Sequence, residues 1–174
     1  LKATTIPHQL GDYELLNKLG EGGMGVVYLA IQKSAGRKVA LKIIRPDRLG
    51  GLSESRNKKT IERFRTEAHA ATKIQHENLV TVYEVGFEND CHCCSMQFVE
   101  GCSLAELLRQ GPVEAKQAAR WIEPACRAIH AVHENGILHR DLKPQNIMLE
   151  EATGKTLVAD FGLAKLAESD IELT

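Results

Sequence analysis

The stretch that decides the fold is His139-Arg140-Asp141-Leu142-Lys143-Pro144-Gln145-Asn146, which is followed a little later by Asp160-Phe161-Gly162. It contains a carboxylate that can act as a base, a lysine that can bind phosphate, and two side chains that can bind a metal ion. Two short apolar runs, 147–149 and 157–159, separate the two clusters. Because a hairpin returns the chain beside itself, we expect Asn146 and Asp160 to be neighbours in space.

Length and charge limit the class of protein. The chain has 174 residues, which fits one ordinary domain or two small lobes. Its 22 basic and 23 acidic residues nearly cancel, so no overall field favours nucleic acid or an anionic membrane as a partner. No apolar run approaches the roughly 20 residues of a membrane-spanning helix. The oligomeric state cannot be inferred from these features.

The five cysteines are an odd set crowded largely into one stretch, which is not typical of a disulfide framework. We therefore expect a cytoplasmic segment without membrane contact, although a full-length protein could be anchored to a membrane. A zinc site needs a second ligand pair in addition to the run Cys91-His92-Cys93-Cys94, and the sequence does not supply one. Strand alternation instead predicts Cys91 and Cys93 on one face of a half-buried hairpin.

The first half of the chain predicts a small sheet and one helix. Residues 1–11 lack periodicity and predict a tail or linker. Apolar runs at 13–19, 26–31 and 39–44 predict three antiparallel strands, and runs at 79–87 and 93–99 predict two more. From Ile61 onward, apolar residues recur at spacings of three and four, which predicts a helix with Glu67 on its buried side.

The second half of the chain predicts helices before the hairpin. Ser103 with Glu106 three residues later is a capping-box pattern, which predicts the start of a short helix. A longer helix is predicted over 114–134, bent at Pro124. Its expected buried face is formed by Ala118, Ile122, Ala125, Ile129 and Val132.

Two signals in the first half are weak when taken alone. The glycine-rich turn Gly20-Glu21-Gly22-Gly23-Met24-Gly25, followed by Val27, could let backbone N–H groups approach phosphate oxygens. Glycine-rich hairpin turns are common, however. Lys42 could pair with Glu67 and hold nucleotide phosphates, but Lys42 could equally be an edge lysine and Glu67 a surface partner of Arg63.

Taken together, these motifs resemble the signature set of the protein kinases. The glycine turn, the lysine of Val39-Ala40-Leu41-Lys42, the loop His139 to Asn146 and the triplet Asp160 to Gly162 occur in the order typical of that family. The amino-acid sequence of the glycine turn is most similar to that of the eukaryotic-type Ser/Thr kinases of bacteria. The resemblance covers about residues 12–166.

The resemblance implies roles for the opening stretch. Asp141 would accept or orient the proton of the attacking hydroxyl, and Lys143 would reach the transferred phosphoryl group. Asn146 and Asp160 would hold Mg²⁺, a hard cation that requires oxygen ligands. Lys143-Pro144 after Asp141-Leu142 is typical of Ser/Thr kinases, so the implied substrates are proteins with serine or threonine acceptors.

The resemblance also implies an ATP site. Lys42, oriented by Glu67, would hold the phosphates. The remaining expected nucleotide contacts are Gly20, Glu21, Gly22, Gly23, Met24, Gly25, Val27, Ala40, Met96, Gln97, Val99 and Met148. In this family His139 has a structural role beneath Phe161. Arg140 implies control by phosphorylation, for which Ser169 and Thr174 are the only hydroxyls left, although both could be ordinary loop residues.

The implied fold is α+β and bilobal. It comprises a five-stranded antiparallel N-lobe sheet with one helix over 12–96, followed by an incomplete, mostly helical C-lobe over 97–174. No Ala-Pro-Glu follows Gly162, so we expect a fragment that is inactive by itself. Two alternatives stay open: a nucleotide-binding pseudokinase or scaffold, which the intact motif residues oppose, and a small-molecule kinase, which usually lacks the His-Arg-Asp-Leu-Lys-Pro wording.

Overall fold

The computed structural model describes residues 8–22, 25–44, 72–89 and 91–160. They form two compact units. The first contains the described residues up to 44 together with 83–98, and the second contains 72–82 and 99–160. The predicted helix that carries Glu67 lies outside the described residues. The lobe boundaries expected at residues 12, 96 and 97 stay predictions.

The first unit is built on a six-stranded sheet. Its strands are β1 (Gln9–Leu10), β2 (Tyr13–Gly22), β3 (Gly25–Gln32), β4 (Arg37–Ile44), β5 (Val82–Glu88) and β6 (Cys91–Gln97), in the spatial order β1-β2-β3-β4-β6-β5. The pairs from β1 to β4, and the pair β4 with β6, are antiparallel. This confirms the predicted antiparallel sheet, with one strand more than expected.

The additional strand lies in the segment predicted as a tail, so that prediction was wrong for Gln9–Leu10. Gly11 adopts a φ of +53°, a left-handed conformation that glycine enters without steric penalty. This turn brings Leu10 opposite Tyr13 in the register of β1 and β2. Leu10 is only 2% exposed, and burial of its side chain compensates for ordering so short a strand.

Alternation along the strands sends one set of side chains into a core on a single face of the sheet. The buried set is Leu10, Tyr13, Leu15, Val26, Tyr28, Ala30, Val39, Leu41, Ile43 and Cys93. The Tyr13 hydroxyl donates to Glu84 Oε2 at 2.9 Å and lies 3.1 Å from Ser95 Oγ. Burial raises the pKa of this phenol. Lys42 lies between Leu41 and Ile43 in the strand and so belongs to the opposite face.

Gly25→Ala is expected to destabilise the first unit by roughly 1 to 3 kcal/mol. A Cβ atom at Gly25 would lie 2.0 Å from the carbonyl oxygen of Ile43 on the neighbouring strand, so the two backbones must separate. Gly22→Ala is the matched control, because a Cβ atom there would have no neighbour within 4 Å in the part of the chain that the structure describes. Thermal unfolding measures both variants, and equal midpoints would contradict the prediction.

The second unit combines a small sheet with two α-helices. Its elements are β7 (Gly101–Ser103), α1 (Leu104–Arg109), α2 (Ala115–Glu134), a 3-10 helix (Pro144–Asn146), β8 (Ile147–Glu150) and β9 (Thr156–Val158). The strands are ordered β7-β8-β9. Strands β8 and β9 pair in antiparallel fashion, which confirms the hairpin predicted between the two clusters of the opening stretch.

Helix α2 buries a face that overlaps the predicted one but does not match it completely. Ala125, Ala128 and Val132 are buried, whereas Ile122 is 39% exposed. The expected face included Ile122 and omitted Ala128. Both stripes satisfy the spacing of three and four residues, and only the packing partner determines which one is buried. Pro124 lies inside the helix as predicted. Within the described ranges, no helix is long and apolar enough to span a membrane.

Helix α1 begins with the predicted capping box. The Glu106 N–H donates to Ser103 Oγ at 3.2 Å, and the Ser103 N–H donates to Glu106 Oε2 at 2.7 Å. The bonds from the backbone and the hydroxyl of Ser103 lower the pKa of Glu106. These reciprocal bonds satisfy two backbone N–H groups that the first turn of a helix would otherwise leave without partners.

Ser103→Ala is expected to lower the free energy of unfolding by about 1 kcal/mol at neutral pH. The folded-state pKa of Glu106 lies below its unfolded value, so its contribution is present above the unfolded pKa and is lost as the pH falls through the folded one. The loss caused by Ser103→Ala should therefore shrink in strong acid. Chemical denaturation at neutral pH and in strong acid measures the free energy of unfolding of both proteins. An equal loss under the two conditions would exclude a role for the ionised Glu106.

Candidate active site

Five of the predicted nucleotide contacts lie on one face of the six-stranded sheet. The register pairs Gly20 with Val27, Val27 with Lys42, and Ala40 with Met96. Directly opposed residues on neighbouring strands project to the same face. Lys42 is 7% exposed and Met96 is 5% exposed. The sheet therefore places a buried ammonium group beside apolar side chains, on the face opposite to the core of this unit.

The glycine turn connects β2 and β3. Gly22 pairs with Gly25 where the two strands meet the turn, and Gly23 and Met24 lie outside the described residues. Among the described residues, a Cβ atom at Gly20 or Gly22 would meet nothing within 4 Å. No described side chain therefore blocks the backbone of Gly20 and Gly22. Glu21, the side chain between these two glycines, forms an ion pair with Lys18.

Cys94 is a residue of this face that sequence analysis did not single out. It pairs with Lys42 in the register of β4 and β6 and is fully buried. Cys93 projects to the opposite face and joins the core, where burial raises the pKa of its thiol to about 11. The predicted alternation of the cysteines is thus confirmed. Applied to the predicted β4 and β6 runs, the same alternation could have indicated Cys94.

In the second unit, Asp141 is held by two neighbours from the same loop. Lys143 Nζ lies 2.6 Å from Asp141 Oδ2. Asn146 Nδ2 donates to the Asp141 carbonyl oxygen at 2.8 Å and to Asp141 Oδ2 at 3.2 Å. Burial by itself would raise the pKa of Asp141, but the hydrogen bond and charge of Lys143, with the bond from Asn146, lower it overall. Asp141 is therefore ionised at neutral pH and can accept a proton.

His139 connects this loop to the end of β9. The residue is 2% exposed, and its Nε2 lies 3.0 Å from the Ala159 carbonyl oxygen. Burial lowers the pKa of the imidazole, which keeps it neutral and suited to a hydrogen-bonding role. Phe161, beneath which His139 is predicted to pack, lies outside the described residues.

The hairpin returns Asp160 to Asn146, as predicted. The Ala159 N–H donates to the Asn146 carbonyl oxygen at 2.8 Å, and Asp160 is the next residue. Asp160 has a φ of +57°, a conformation that non-glycine residues adopt rarely and that occurs disproportionately at functional sites. Because Asn146 Nδ2 points to Asp141, its amide oxygen is the atom available to a cation. An amide oxygen and a carboxylate are ligands that suit Mg²⁺.

The other predicted contacts are divided between the two units or lie outside the described residues. Gln97 ends β6 in the first unit, whereas Val99 and Met148 belong to the second, Val99 being buried and Met148 half-buried. Arg140 is exposed and has a φ of +59°. Besides Gly23, Met24 and Phe161, the predicted residues outside the described ranges are Glu67, Gly162, Ser169 and Thr174.

Comparison with known proteins identifies the family. The model of the protein kinase domain matches residues 13–174. The chain belongs to the protein kinase family. Among its serine/threonine kinase relatives, PrkC of Bacillus subtilis is 39% identical over 160 residues, which cover 91% of this chain and 24% of PrkC. PknB of Mycobacterium tuberculosis is 38% identical over an alignment of 177 positions, which covers 98% of this chain and 27% of PknB.

Solved kinase structures show the same fold. The apo form of PpkA-294 is 27% identical to this chain and superimposes with a TM-score of 0.81. The match covers 94% of this chain and 63% of the PpkA-294 chain. The PknI kinase domain of Mycobacterium tuberculosis is 24% identical, with a TM-score of 0.77 over 90% of this chain and 61% of its own. The kinase chain described here thus spans about three fifths of these solved chains and about a quarter of the curated relatives above.

Proposed function

We propose that this protein transfers the γ-phosphoryl group of ATP, in the presence of Mg²⁺, to serine or threonine hydroxyls of protein substrates. The observation that carries the proposal is the bonded group of Asp141, Lys143 and Asn146, with Asp160 brought next to it by the bond from Ala159 N to Asn146 O. This loop and its hairpin contain a base, a cationic side chain that can bind phosphate, and two oxygen ligands for a metal ion. Phosphoryl transfer requires these groups.

Each residue contributes a separate property to that chemistry. Asp141, ionised at neutral pH, accepts or orients the proton of the acceptor hydroxyl, and Lys143 moves from Asp141 towards the transferred phosphoryl group. Asn146 and Asp160 hold Mg²⁺, which neutralises charge on the phosphate oxygens when it is bound. In the other unit, Lys42 holds ATP phosphates, and Val27, Ala40 and Met96 line the adenine pocket. By the family resemblance, the backbone of Gln97, which ends β6 in that unit, bonds the adenine edge.

Substrate class rests on the resemblance rather than on geometry. Lys143-Pro144 directly after Asp141-Leu142 supports a serine or threonine acceptor, and the curated relatives are serine/threonine kinases. Residues 1–174 alone are expected to be inactive, because they span about three fifths of the solved kinase chains. Activity is therefore proposed for the full-length gene product.

The proposal is tested with that full-length protein, radiolabelled ATP and a generic basic protein substrate. We expect labelled phosphoserine or phosphothreonine that disappears when a chelator removes Mg²⁺. Thermal stabilisation by ATP without any transfer would indicate a pseudokinase instead. Labelling of small aminated or hydroxylated compounds, with no labelled protein, would indicate a small-molecule kinase.

A further inference from the structure

Strand β9 ends two residues before Asp160, and its backbone is bonded on both sides. On one side it pairs with β8, with Val158 opposite Ile147. On the other side, the Val158 N–H donates to the Asn78 carbonyl oxygen at 2.8 Å, and the Val80 N–H donates to the Val158 carbonyl oxygen at 2.9 Å. The strand that delivers Asp160 is therefore held by a segment, residues 78–80, to which the proposed chemistry assigns no role.

Asn78 adds a side-chain bond to this pairing. Its Nδ2 donates to the Thr156 carbonyl oxygen at 2.8 Å, and Asn78 and Thr156 are 7% and 3% exposed. Backbone groups of alternate residues in a strand point to the same side. The Thr156 carbonyl group therefore points away from β8 and towards Asn78, on the same side of the strand as the N–H and carbonyl groups of Val158. Without the amide, this buried carbonyl would lose its partner, which is unfavourable.

Asn78 is itself fixed by a tight turn. Its N–H donates to His76 Nδ1 at 3.0 Å, and the Leu79 N–H donates to the His76 carbonyl oxygen at 3.0 Å. By fixing the backbone of Asn78, the turn sets the direction of its side-chain amide. From there, the bonded path runs along β9 to Ala159, whose N–H is bonded to Asn146 O and whose carbonyl oxygen contacts His139 Nε2.

We propose that Asn78 is a positioning residue for the metal ligand Asp160, acting through its bond to Thr156 and the backbone of β9. The inference rests on the proposed function, in which Asp160 holds Mg²⁺. Residues that orient metal ligands without touching the metal affect metal affinity by roughly 10-fold to 100-fold. A shift of β9 moves Asp160 relative to Asn146 and weakens their joint binding of the cation.

The test measures Mg²⁺ binding rather than turnover. Asn78→Leu, which removes the amide at similar side-chain size, is made in the full-length protein. Mg²⁺ is titrated calorimetrically into protein saturated with a non-hydrolysable ATP analogue. We expect the Kd for Mg²⁺ to rise about tenfold and amide hydrogen exchange at Val158 and Ala159 to accelerate. Affinity for the analogue without Mg²⁺ should not change.

Asn135→Leu is the matched control, because Asn135 Nδ2 also donates to a backbone carbonyl, that of Ala131 at 2.9 Å, but at an exposed position of the helix end. It should leave the Kd for Mg²⁺ unchanged. An unchanged Kd in Asn78→Leu, even with a lowered thermal midpoint, would make Asn78 merely structural and overturn the inference. If Asn78→Leu does not fold, Asn78→Ser is judged by the same criteria. Failure of the wild type to bind Mg²⁺ with the analogue would instead refute the proposed function.

Discussion

Asp141→Asn in the full-length protein is expected to reduce kcat by a factor of roughly 10² to 10⁴. The amide can still accept hydrogen bonds from Lys143 and Asn146, so the loop should keep its geometry. It cannot accept the proton of the acceptor hydroxyl. The lost ion pair involves a lysine side chain that is 46% exposed, so the free energy of unfolding should change by no more than about 1 kcal/mol. Initial rates and thermal unfolding measure the two effects.

A control for the loss of a negative charge is available on helix α2. Glu123 pairs with Arg127 at a position where both side chains are more than half exposed. Glu123→Gln removes a carboxylate and an ion pair outside the candidate site, so kcat should stay within about twofold of the wild type. If the kcat of Asp141→Asn were as close to the wild-type value as that of Glu123→Gln, Asp141 could not be the base.

Lys42→Met is expected to lower kcat/KM for ATP by roughly 10² to 10³, the range for losing one preorganised charge contact to reacting groups. Methionine has a side chain of similar length and an apolar character that suits a position only 7% exposed. The six-stranded sheet should therefore remain folded. Steady-state kinetics at several ATP concentrations, with circular dichroism of the variant, measure the effect.

Lys38→Met provides the matched comparison on the same strand. Lys38 lies four residues earlier in β4 and hence on the same face of the sheet, but it is exposed. Its loss should leave kcat/KM for ATP nearly unchanged. Similar losses in Lys38→Met and Lys42→Met would mean that general electrostatics, rather than a specific phosphate contact, accounts for the effect.

Local patterns predicted those elements whose cause is local. The capping box at Ser103 and Glu106 is present because its partners are three residues apart. The hairpin that brings Asp160 to Asn146 needs only a tight turn between two short apolar runs. The separation of Cys93 and Cys94 follows from strand alternation. In each case, the interacting groups are close in the chain and the pattern has one geometric outcome.

The errors occurred where distant packing decides between equivalent outcomes. Strand β1 is too short to show periodicity, and Leu10 is buried in a core to which distant strands contribute Val39 and Leu41. The face of α2 could not be chosen from spacing, since Ile122 and Ala128 both fit a buried stripe. Asn78 gave no signal, because its partner, the Thr156 carbonyl oxygen, lies 78 residues away.

The sequence by itself determined the family, the antiparallel sheet and the set of candidate catalytic and metal-binding residues, because these depend on short motifs in a fixed order. Only the tertiary structure decided the bonds of Asp141 with Lys143 and Asn146, the burial of Lys42 opposite Cys94, and the support of β9 by Asn78. Motifs specify which chemical groups are present. Their orientation and ionisation depend on neighbours that only folding brings into contact.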